Sequence, residues 1–369
     1  MILWLKDKDA ISRQIVEKTY EIAGKKITFE SGRLALFAQG SAVIRDENGN
    51  FLLTTAGIGQ PKNGDFFPLT VEYQEKYYAS GKIGGNRFQK REGRPSEAAI
   101  LNSRLIDRPI RPLFPKGYRQ EIQVVATVLS MDPSFRPDVI AMIAASSALM
   151  LTGTPFDGPV AGLRVGRVNG EFKAFLTPEE REKSDLDLVV AGIESGITMV
   201  EAGAKEVSED VIVDAMAWAH QMMQPAIALQ RELAEKVAPA QQEYDLILPD
   251  ESIQQTVDAW VDGKFGEKIR RPYPERNKMI SEIRAEFHEA MAEKLGLDEE
   301  EYSEVRGDYD EAFTLALHKD VRRGIVAERV RPDGRQLTEI RPLSSEVGFL
   351  PRAHGSSLFT RGVTQGMNI

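Results

Sequence analysis

The stretch "SAVIRDENGNFLLTTA", from Ser41 to Ala56, decides the fold class of the first part of the chain. Two β-rich runs bracket Asn48-Gly49-Asn50, and an Asn/Gly turn between two such runs is typical of a β-hairpin. The preceding run "KKITFESG" (Lys25–Gly32) is β-rich as well. We therefore predict a group of short strands joined by turns over residues 20–57.

Strands and helices follow one another through the rest of this first part. Further strands are predicted over residues 66–79, over 122–132, and twice within 186–204. Three helices are predicted. The first runs from Ser96 to Asp107 and is ended by Pro109 and Pro112. The second is capped by Asp138 and ended by Gly153 and Pro155, and the third is capped by Ser208 and runs through His220. This mixture indicates the α+β class.

The pattern changes after the connector "EKVAPAQQEYDLILPDES", residues 235–252. Residues 252–326 are helical in pattern, highly charged and poor in strand formers, and the β-like character returns after that. We predict three parts, with bounds at 1–240, 241–326 and 327–369. The third part is predicted to hold the opening strands of a second β-containing core.

A short internal match supports that division. "LFAQGSA" (residues 36–42) and "LFTRGVT" (residues 358–364) align without a gap, and Gly32 or Gly355 precedes the inner glycine by seven or eight residues. A repeat of this size indicates a duplicated domain and not a solenoid. Chance is the alternative explanation for so short a match, and the sequence leaves both open.

Composition limits the function classes. A chain of 369 residues predicts two or three domains. The absence of cysteine excludes disulfides and thiolate metal sites and fits a cytoplasmic location. The opening "MILWLKDKDA" lacks the apolar length of a signal peptide, and the longest nearly apolar run, residues 139–152, is shorter than a membrane span. We predict no membrane association.

Positive charge is concentrated in one stretch although the formal net charge is −9. "GNRFQKREGRPSEAAILNSRLIDRPIRPLF" (residues 85–114) carries seven Arg or Lys residues against three carboxylates. In its first half, guanidinium and ammonium groups can bind phosphates, and an aromatic ring can stack on a base. The predicted contacts to single-stranded nucleic acid are Arg87, Phe88, Lys90, Arg91 and Arg94. The alternative is a solvated loop with incidental charge.

The second half of this stretch lies on a predicted helix. Arg104, Arg108 and Glu97 share one face of that helix, and Asp107 is three residues from Arg104. We predict that these arginines form internal ion pairs and support the structure.

Other residue types give weaker signals. Asp185 and Asp187 could be read as metal ligands, but solvated carboxylates at the start of a strand are favoured. No phosphate-binding loop and no nucleophile beside a base is found in the sequence. The four histidines show no metal-ligand spacing and are predicted to be surface or capping residues, namely His220, His288, His318 and His354. We therefore predict no metal site in this chain.

Several long motifs, taken together, closely resemble the bacterial polynucleotide phosphorylase family along nearly the whole chain. They are "DFFPLTVEYQEKYYASGKIGG", "REGRPSEAAILNSRLIDRPIRPLFP", "RPDVIAMIAASSALMLTGTPFDGP", "SDLDLVVAGIESGITMVEAGAKEVSEDV" and "RPDGR" followed by "IRPLSSEVGFLPRAHGSSLFTRGVTQ". The resemblance implies two ribonuclease PH-like cores joined by an all-helical domain. It also implies an enzyme that degrades RNA from the 3′ end, uses inorganic phosphate as co-substrate, releases nucleoside diphosphates and can run in reverse.

The same resemblance implies where the parts of the enzyme lie. Catalytic residues and Mg²⁺ ligands are expected in the second core beyond Ile369, so no catalytic residue is assigned in this chain. A homotrimeric ring is expected, with a first-core loop that constricts the RNA entrance, and partners in an RNA-degradation complex are possible. The loop motif F-F-R-R-E-G-R-P-S-E falls on residues 87–97, where Arg-Phe-Gln replaces the aromatic pair and the loop is one residue longer.

The segment that opens the second core also matches the family, at Arg352, His354 and Arg361. We assign none of these three residues a catalytic role. A rival hypothesis treats the chain as a naturally short, non-enzymatic RNA-binding or assembly module. A subunit of an archaeal-exosome-like ring is disfavoured, because the cores of that ring are separate chains.

Overall fold

The computed structural model describes residues 15–62, 66–83, 92–132 and 136–369. The chain divides into two compact units, one ending at Ile247 and the other beginning at Leu248. The first unit mixes sheets and helices, as predicted. In the second unit, helices come first and a small sheet follows.

A six-stranded sheet forms one layer of the first unit. Its strands, in spatial order, are β1 (Val16–Ile22), β2 (Lys25–Ser31), β3 (Gly40–Asp46), β4 (Phe51–Pro61), β6 (Gln120–Ser130) and β5 (Leu69–Glu75). All neighbours are antiparallel except β5 and β6, which are parallel. The predicted strands in residues 20–57, 66–79 and 122–132 are therefore confirmed.

The predicted hairpin turn joins β3 and β4. Gly49 has a φ of 82°, and one carboxylate oxygen of Asp46 accepts hydrogen bonds from the backbone N–H groups of Asn48 and Asn50. Burial alone would raise the pKa of Asp46, but hydrogen bonds from Lys25 and Asn50 hold it below its ordinary value. The local sequence is therefore sufficient to form this turn.

A four-stranded antiparallel sheet forms the other layer of this unit. Its spatial order is β10 (Gly196–Ala204), β9 (Leu186–Ile193), β7 (Ala161–Val168) and β8 (Glu171–Ala174). Helix α1 (Glu97–Ile110) packs on β5, the short helix α3 (Pro178–Lys183) contacts β7, and the long helix α4 (Glu209–Val237) packs on β1 and β7. The two strands predicted within residues 186–204 are confirmed as β9 and β10.

Helix α2 (Asp138–Met150) lies between the two sheets, since it contacts β3 and β4 on one side and β7 on the other. Every residue from Asp138 to Leu149 is buried. This explains its composition, because a helix covered on all sides has no polar face. Glycines let the strands pack closely against α2. A Cβ at Gly40 of β3 would lie 2.0 Å from the Ala148 oxygen, and a Cβ at Gly162 of β7 would lie 2.7 Å from the Met142 sulfur.

The second unit begins with helices α5 (Glu251–Val261), α6 (Glu275–Leu295) and α7 (Glu299–Val326). Phe287 of α6 and Phe313 of α7 are fully buried, with ring centroids 5.1 Å apart. An antiparallel sheet of β11 (Leu343–Val347), β12 (Ser357–Arg361) and β13 (Thr364–Asn368) follows. The predicted helical pattern of residues 252–326 and the return of strands after it are confirmed.

The ends of three predicted helices need correction. Helix α1 continues to Ile110 with Pro109 inside it, because both residues are buried and this packing offsets the backbone hydrogen bond that proline cannot donate. Asp138 is the first residue of α2 and does not cap it, since Pro137 occupies the cap position. Helix α4 runs on to Val237, far beyond His220, because its apolar residues continue to pack against the two sheets.

The two copies of the internal match differ in local structure. Leu36 and Phe37 lie in a turn before β3, whereas Leu358 and Phe359 lie in strand β12. Gly40 begins a strand, but Gly362 has a φ of 62° and forms the turn between β12 and β13. The duplicated domain stays a prediction. Within the described residues, no helix has the length and apolar character needed to cross a membrane.

Candidate nucleic-acid interface

The structure describes one of the five predicted RNA-binding residues. Arg94 is exposed and lies two residues before Ser96, the cap of helix α1. The other four fall outside the described residues, namely Arg87, Phe88, Lys90 and Arg91. Their role therefore stays a prediction, and the described part of the site begins at Glu92.

Glu92 fastens the chain beside strand β5. Its carboxylate accepts a hydrogen bond from the Lys76 ammonium at 2.9 Å and another from the Tyr77 backbone N–H at 3.1 Å. The hydrogen bond from Lys76 is the main reason why the pKa of Glu92 lies below its ordinary value. The carboxylate thus stays ionised and holds Gly93 and Arg94 next to the end of β5.

Helix α1 fixes the other side of Arg94. The Ser96 hydroxyl accepts a hydrogen bond from the Ala99 backbone N–H at 3.1 Å, so the helix begins at a defined point. Glu97 lies in the first turn, where a carboxylate is favourable beside the positive end of the helix dipole. Arg94 is therefore an exposed cation held between two fixed points.

A cleft of about 690 Å³ opens at this place. Its cations are Lys76, Lys82 and Arg94, and three glutamates line it as well. Tyr77, which lines the cleft just after β5, is 44% exposed, and the neighbouring Tyr78, outside the lining, is 58% exposed. Cations and exposed rings are the groups that hold a single strand by its phosphates and bases. The cleft thus holds groups of the kind that contact nucleic acid, together with three carboxylates, and its described residues show no nucleophile beside a base.

The arginines of α1 are paired differently from the prediction. Arg108 binds Glu201 of β10 at 2.7 Å, and Asp107 binds Arg111 at 2.7 Å instead of Arg104. Arg104 has no ion-pair partner within the described ranges and is exposed. The predicted pairing within the helix was wrong for Arg104, because Arg111, four residues after Asp107, presents two N–H groups to that carboxylate.

A second cavity, of about 280 Å³, lies at the start of helix α2. The Arg164 guanidinium bridges Asp138 at 2.7 Å and Asp187 at 2.5 Å, and Arg136 lies 3.5 Å from Asp187. Burial would lower the pKa of Arg164, but the two carboxylates raise it above its ordinary value. Asp138 and Asp187 are thus both paired with one guanidinium, that of Arg164.

The two aspartates that the sequence left open are both ion-paired. Asp187 binds Arg164, and Asp185 binds Arg167 at 3.0 Å, so neither is only a solvated carboxylate as predicted. The arginines come from β7, which pairs with β9, and this pairing is not visible in the local sequence. Across the described ranges, no group of three or more His, Asp or Glu side chains comes together as a metal site would require.

His288 differs from the prediction of a surface or capping residue. It is 8% exposed, with one ring nitrogen 2.8 Å from the Tyr302 hydroxyl and the other 3.1 Å from the Asp310 carboxylate. Burial holds its pKa below the ordinary value. The ring can be buried because both nitrogens have hydrogen-bond partners. His318 and His354 are exposed, as predicted.

Comparison with known proteins gives two family matches. The profile of the 3′ exoribonuclease family, domain 1, matches residues 23–155, and the profile of domain 2 of that family matches residues 158–222. Both matched ranges lie in the first unit. Together they cover more than half of the chain.

Curated relatives match nearly the whole chain. The polyribonucleotide nucleotidyltransferase of Exiguobacterium sibiricum is 46% identical over 95% of this chain and 47% of that protein. The protein of the same name from Geobacillus kaustophilus is 46% identical over 95% of this chain and 48% of that protein. The chain therefore spans about half the length of the curated relatives it matches. A crystal structure of rice (Oryza sativa) Rrp46 aligns with a TM-score of 0.45 and 13% identity, over 62% of this chain and 99% of that one.

Proposed function

Since the chain belongs to the 3′ exoribonuclease family, we propose that it is part of a phosphate-dependent 3′-to-5′ exoribonuclease, a polyribonucleotide nucleotidyltransferase. The observation that carries this proposal is the 46% identity to proteins of that name over 95% of the chain. The whole protein would cleave single-stranded RNA with inorganic phosphate, release nucleoside diphosphates and run in reverse as a polymerase.

Within that enzyme, we assign this chain to RNA entry and to the scaffold of a homotrimeric ring. The proposed RNA contacts are Arg87, Phe88, Lys90, Arg91 and Arg94. The position of Arg94 supports the assignment, because its guanidinium is exposed and its backbone lies between two anchored points, which lowers the cost of ordering the chain around a phosphate. The exposed rings of Tyr77 and Tyr78 add surfaces on which bases can stack.

The proposed domain bounds are 1–240 for a ribonuclease PH-like core, 241–326 for a helical domain and 327–369 for the opening of a second core. Helices α5 to α7 support the middle range, since residues 251–326 are all described and contain no strand. Strands β11 to β13 support the third range.

We place the chemical step outside this chain. Phosphorolysis needs a phosphate held in line with the scissile bond and positive charge on both phosphates, which Arg, Ser, Thr and a divalent ion supply. Asp138 and Asp187 do not fit a Mg²⁺ ion, because the Arg164 guanidinium already lies between them. The Mg²⁺ ligands and the phosphate site are therefore proposed to lie beyond Ile369. A cytoplasmic location and partners in an RNA-degradation complex complete the proposal.

The test is to identify the released product. The intact protein, incubated with single-stranded RNA, Mg²⁺ and inorganic phosphate, is expected to release nucleoside diphosphates and to stop when phosphate is omitted. Residues 1–369 alone are expected to release none. Nucleoside monophosphates formed without phosphate would instead show hydrolysis and would contradict the proposal. Diphosphate release by the 369-residue chain would contradict the placement of the chemical step.

A further inference from the structure

A second cluster of positive charge lies between helices α5 and α6 and in the first turn of α6. We call residues 264–278 the basic segment. They hold six Arg or Lys residues against two carboxylates, in a chain whose formal net charge is −9. We propose that the basic segment binds single-stranded nucleic acid, in a different unit of the chain from the predicted contacts at residues 87–94.

One of the six cations has a structural role. The Arg270 side chain is 9% exposed, and its guanidinium lies 2.9 Å from the Glu328 carboxylate and 3.7 Å from that of Asp320. Gly324 of α7 leaves room for it, since a Cβ at that position would lie 2.6 Å from the guanidinium. Arg270 therefore ties the basic segment to the end of α7, and the neighbouring cations stand on a fixed backbone.

Three of the other cations, Lys268, Arg271 and Lys278, are exposed. Lys268 and Arg271 are exposed and have no ion-pair partner in the part of the chain that the structure describes. Lys278 is 77% exposed, with the nearest carboxylate oxygen, of Glu282, at 3.9 Å. The buried Nε of Arg276 has no hydrogen-bond partner among the described residues. Exposed guanidinium and ammonium groups without carboxylate partners are suited to phosphates.

An aromatic ring stands among these cations. Tyr273 is 62% exposed, and the prolines on both sides of it restrict the backbone that carries it. Close by in sequence, the Lys264 ammonium lies 4.0 Å from the centre of the Trp260 ring. A ring on a restricted backbone has less conformational entropy to lose when it stacks on a base. Since bases in a duplex are already stacked on each other, an exposed ring favours a single strand.

The ring also distinguishes nucleic acid from an acidic protein partner. An acidic peptide would satisfy the cations but would gain little from the Tyr273 ring, whereas a single strand uses both. This inference does not depend on phosphorolysis, because binding is measured without any reaction.

The test uses the intact protein and a fluorescein-labelled single-stranded oligouridylate, with anisotropy measured at several KCl concentrations. For the double variant Lys268→Ala and Arg271→Ala, we expect about tenfold weaker binding at 0.15 M salt. We also expect the plot of log association constant against log salt concentration to become less steep by about 1.4, the value for two lost phosphate contacts on a single strand. Tyr273→Ser should weaken binding about fivefold at an unchanged slope, and Tyr273→Phe should restore it.

A matched control removes the same charge elsewhere in the second unit. Lys294 in the last turn of α6 and Arg306 in α7 are exposed, and along α6 Lys294 is about 24 Å from the end of the basic segment at Lys278. The variant Lys294→Ala and Arg306→Ala should change the affinity less than twofold. Circular dichroism melting curves show whether each variant is folded.

The inference is wrong if the test and control pairs weaken RNA binding equally, or if Tyr273→Ser has no effect on binding. It is also wrong if polyglutamate competes for the protein as well as single-stranded RNA does. The proposed function is tested separately, by diphosphate release from the same variants. If release persists while all variants bind like the wild type, this inference fails and the proposed function stands. If the wild type releases nothing but the variants bind as expected, the reverse holds.

Discussion

At the scale of single residues, Gly40 marks a place where the first unit has almost no room for a side chain. A Cβ at this position would lie 2.0 Å from the carbonyl oxygen of Ala148 on helix α2. That oxygen belongs to a buried helix backbone and cannot move without shifting α2.

We therefore expect Gly40→Ala to lower the free energy of unfolding by about 3 kcal/mol, as overpacking a core does. The measurement is urea unfolding followed by circular dichroism. Gly203→Ala in strand β10 is the control, since a Cβ there meets nothing within 4 Å. Its effect should stay within about 0.5 kcal/mol, and equal effects of the two variants would contradict the expectation.

His288 makes the stability of the second unit depend on pH. Burial holds its pKa below the ordinary value of 6.5. The unfolded chain then binds a proton more readily than the native chain does, so the proton favours unfolding. Stability contributed by the neutral ring is present above pH 6.5 and is lost as the pH falls from there towards the native pKa.

We expect His288→Gln to remove this loss, because glutamine does not titrate in that range. The measurement is the urea midpoint of the second unit at several pH values between about 5 and 7.5, the range in which histidine titrates. His354→Gln, at an exposed position, should keep the pH dependence of the wild type. A pH dependence that survives in His288→Gln would assign it to another group.

Residue-level predictions from the sequence succeeded where the cause was local. The Asn48-Gly49-Asn50 turn could be predicted because its backbone N–H groups donate to Asp46, which lies only two to four residues away. The burial of His288 was not predicted, since its partners Tyr302 and Asp310 lie on another helix.

At the scale of elements, the connection from β5 to α1 carries the predicted RNA contacts. Its described end is fixed by Glu92 and by the Ser96 cap. A ligand that binds between Glu92 and Ser96 would therefore contact a backbone that is already fixed to the sheet on one side and to the helix on the other.

We expect the triple variant Phe88→Ala, Lys90→Ala and Arg91→Ala to bind long single-stranded RNA more weakly. Removing two cations should lower the salt slope by about 1.4. Filter binding of the intact protein at several salt concentrations measures both. A variant with Lys116→Ala and Lys183→Ala, at two exposed lysines of the first unit, is the control. Unchanged affinity and slope in the triple variant would remove these residues from the RNA path.

Element types were predicted more reliably than element ends and ion pairs. The buried helix α2 and strand β6 follow from composition alone. The pairing of Arg108 with Glu201 could not be predicted, because 93 residues separate the two and only the packing of α1 near β10 brings them together. The candidate cleft likewise needs β5 and α1 to lie side by side.

At the scale of the whole molecule, the chain consists of two compact units with separate hydrophobic cores. A chain with two cores need not unfold in one step. Each unit also contains a described tryptophan, Trp218 in the first and Trp260 in the second.

We expect two unfolding transitions in urea, one for each unit. Gly40→Ala should shift one of them, and Gly324→Ala, which crowds the Arg270 guanidinium, should shift the other. Tryptophan fluorescence assigns each transition to its unit, measured in variants that keep only Trp218 or only Trp260 of the three tryptophans. A single transition that both glycine variants shift equally would show that the units unfold together.

The bridge of Arg164 between Asp138 and Asp187 has a consequence for how the first unit depends on its surroundings. A bound ion can be removed by EDTA or by dialysis, but a guanidinium is covalently part of the polypeptide. The positive charge that Asp138 and Asp187 share is therefore supplied when the chain is synthesised, and no chelator can remove it.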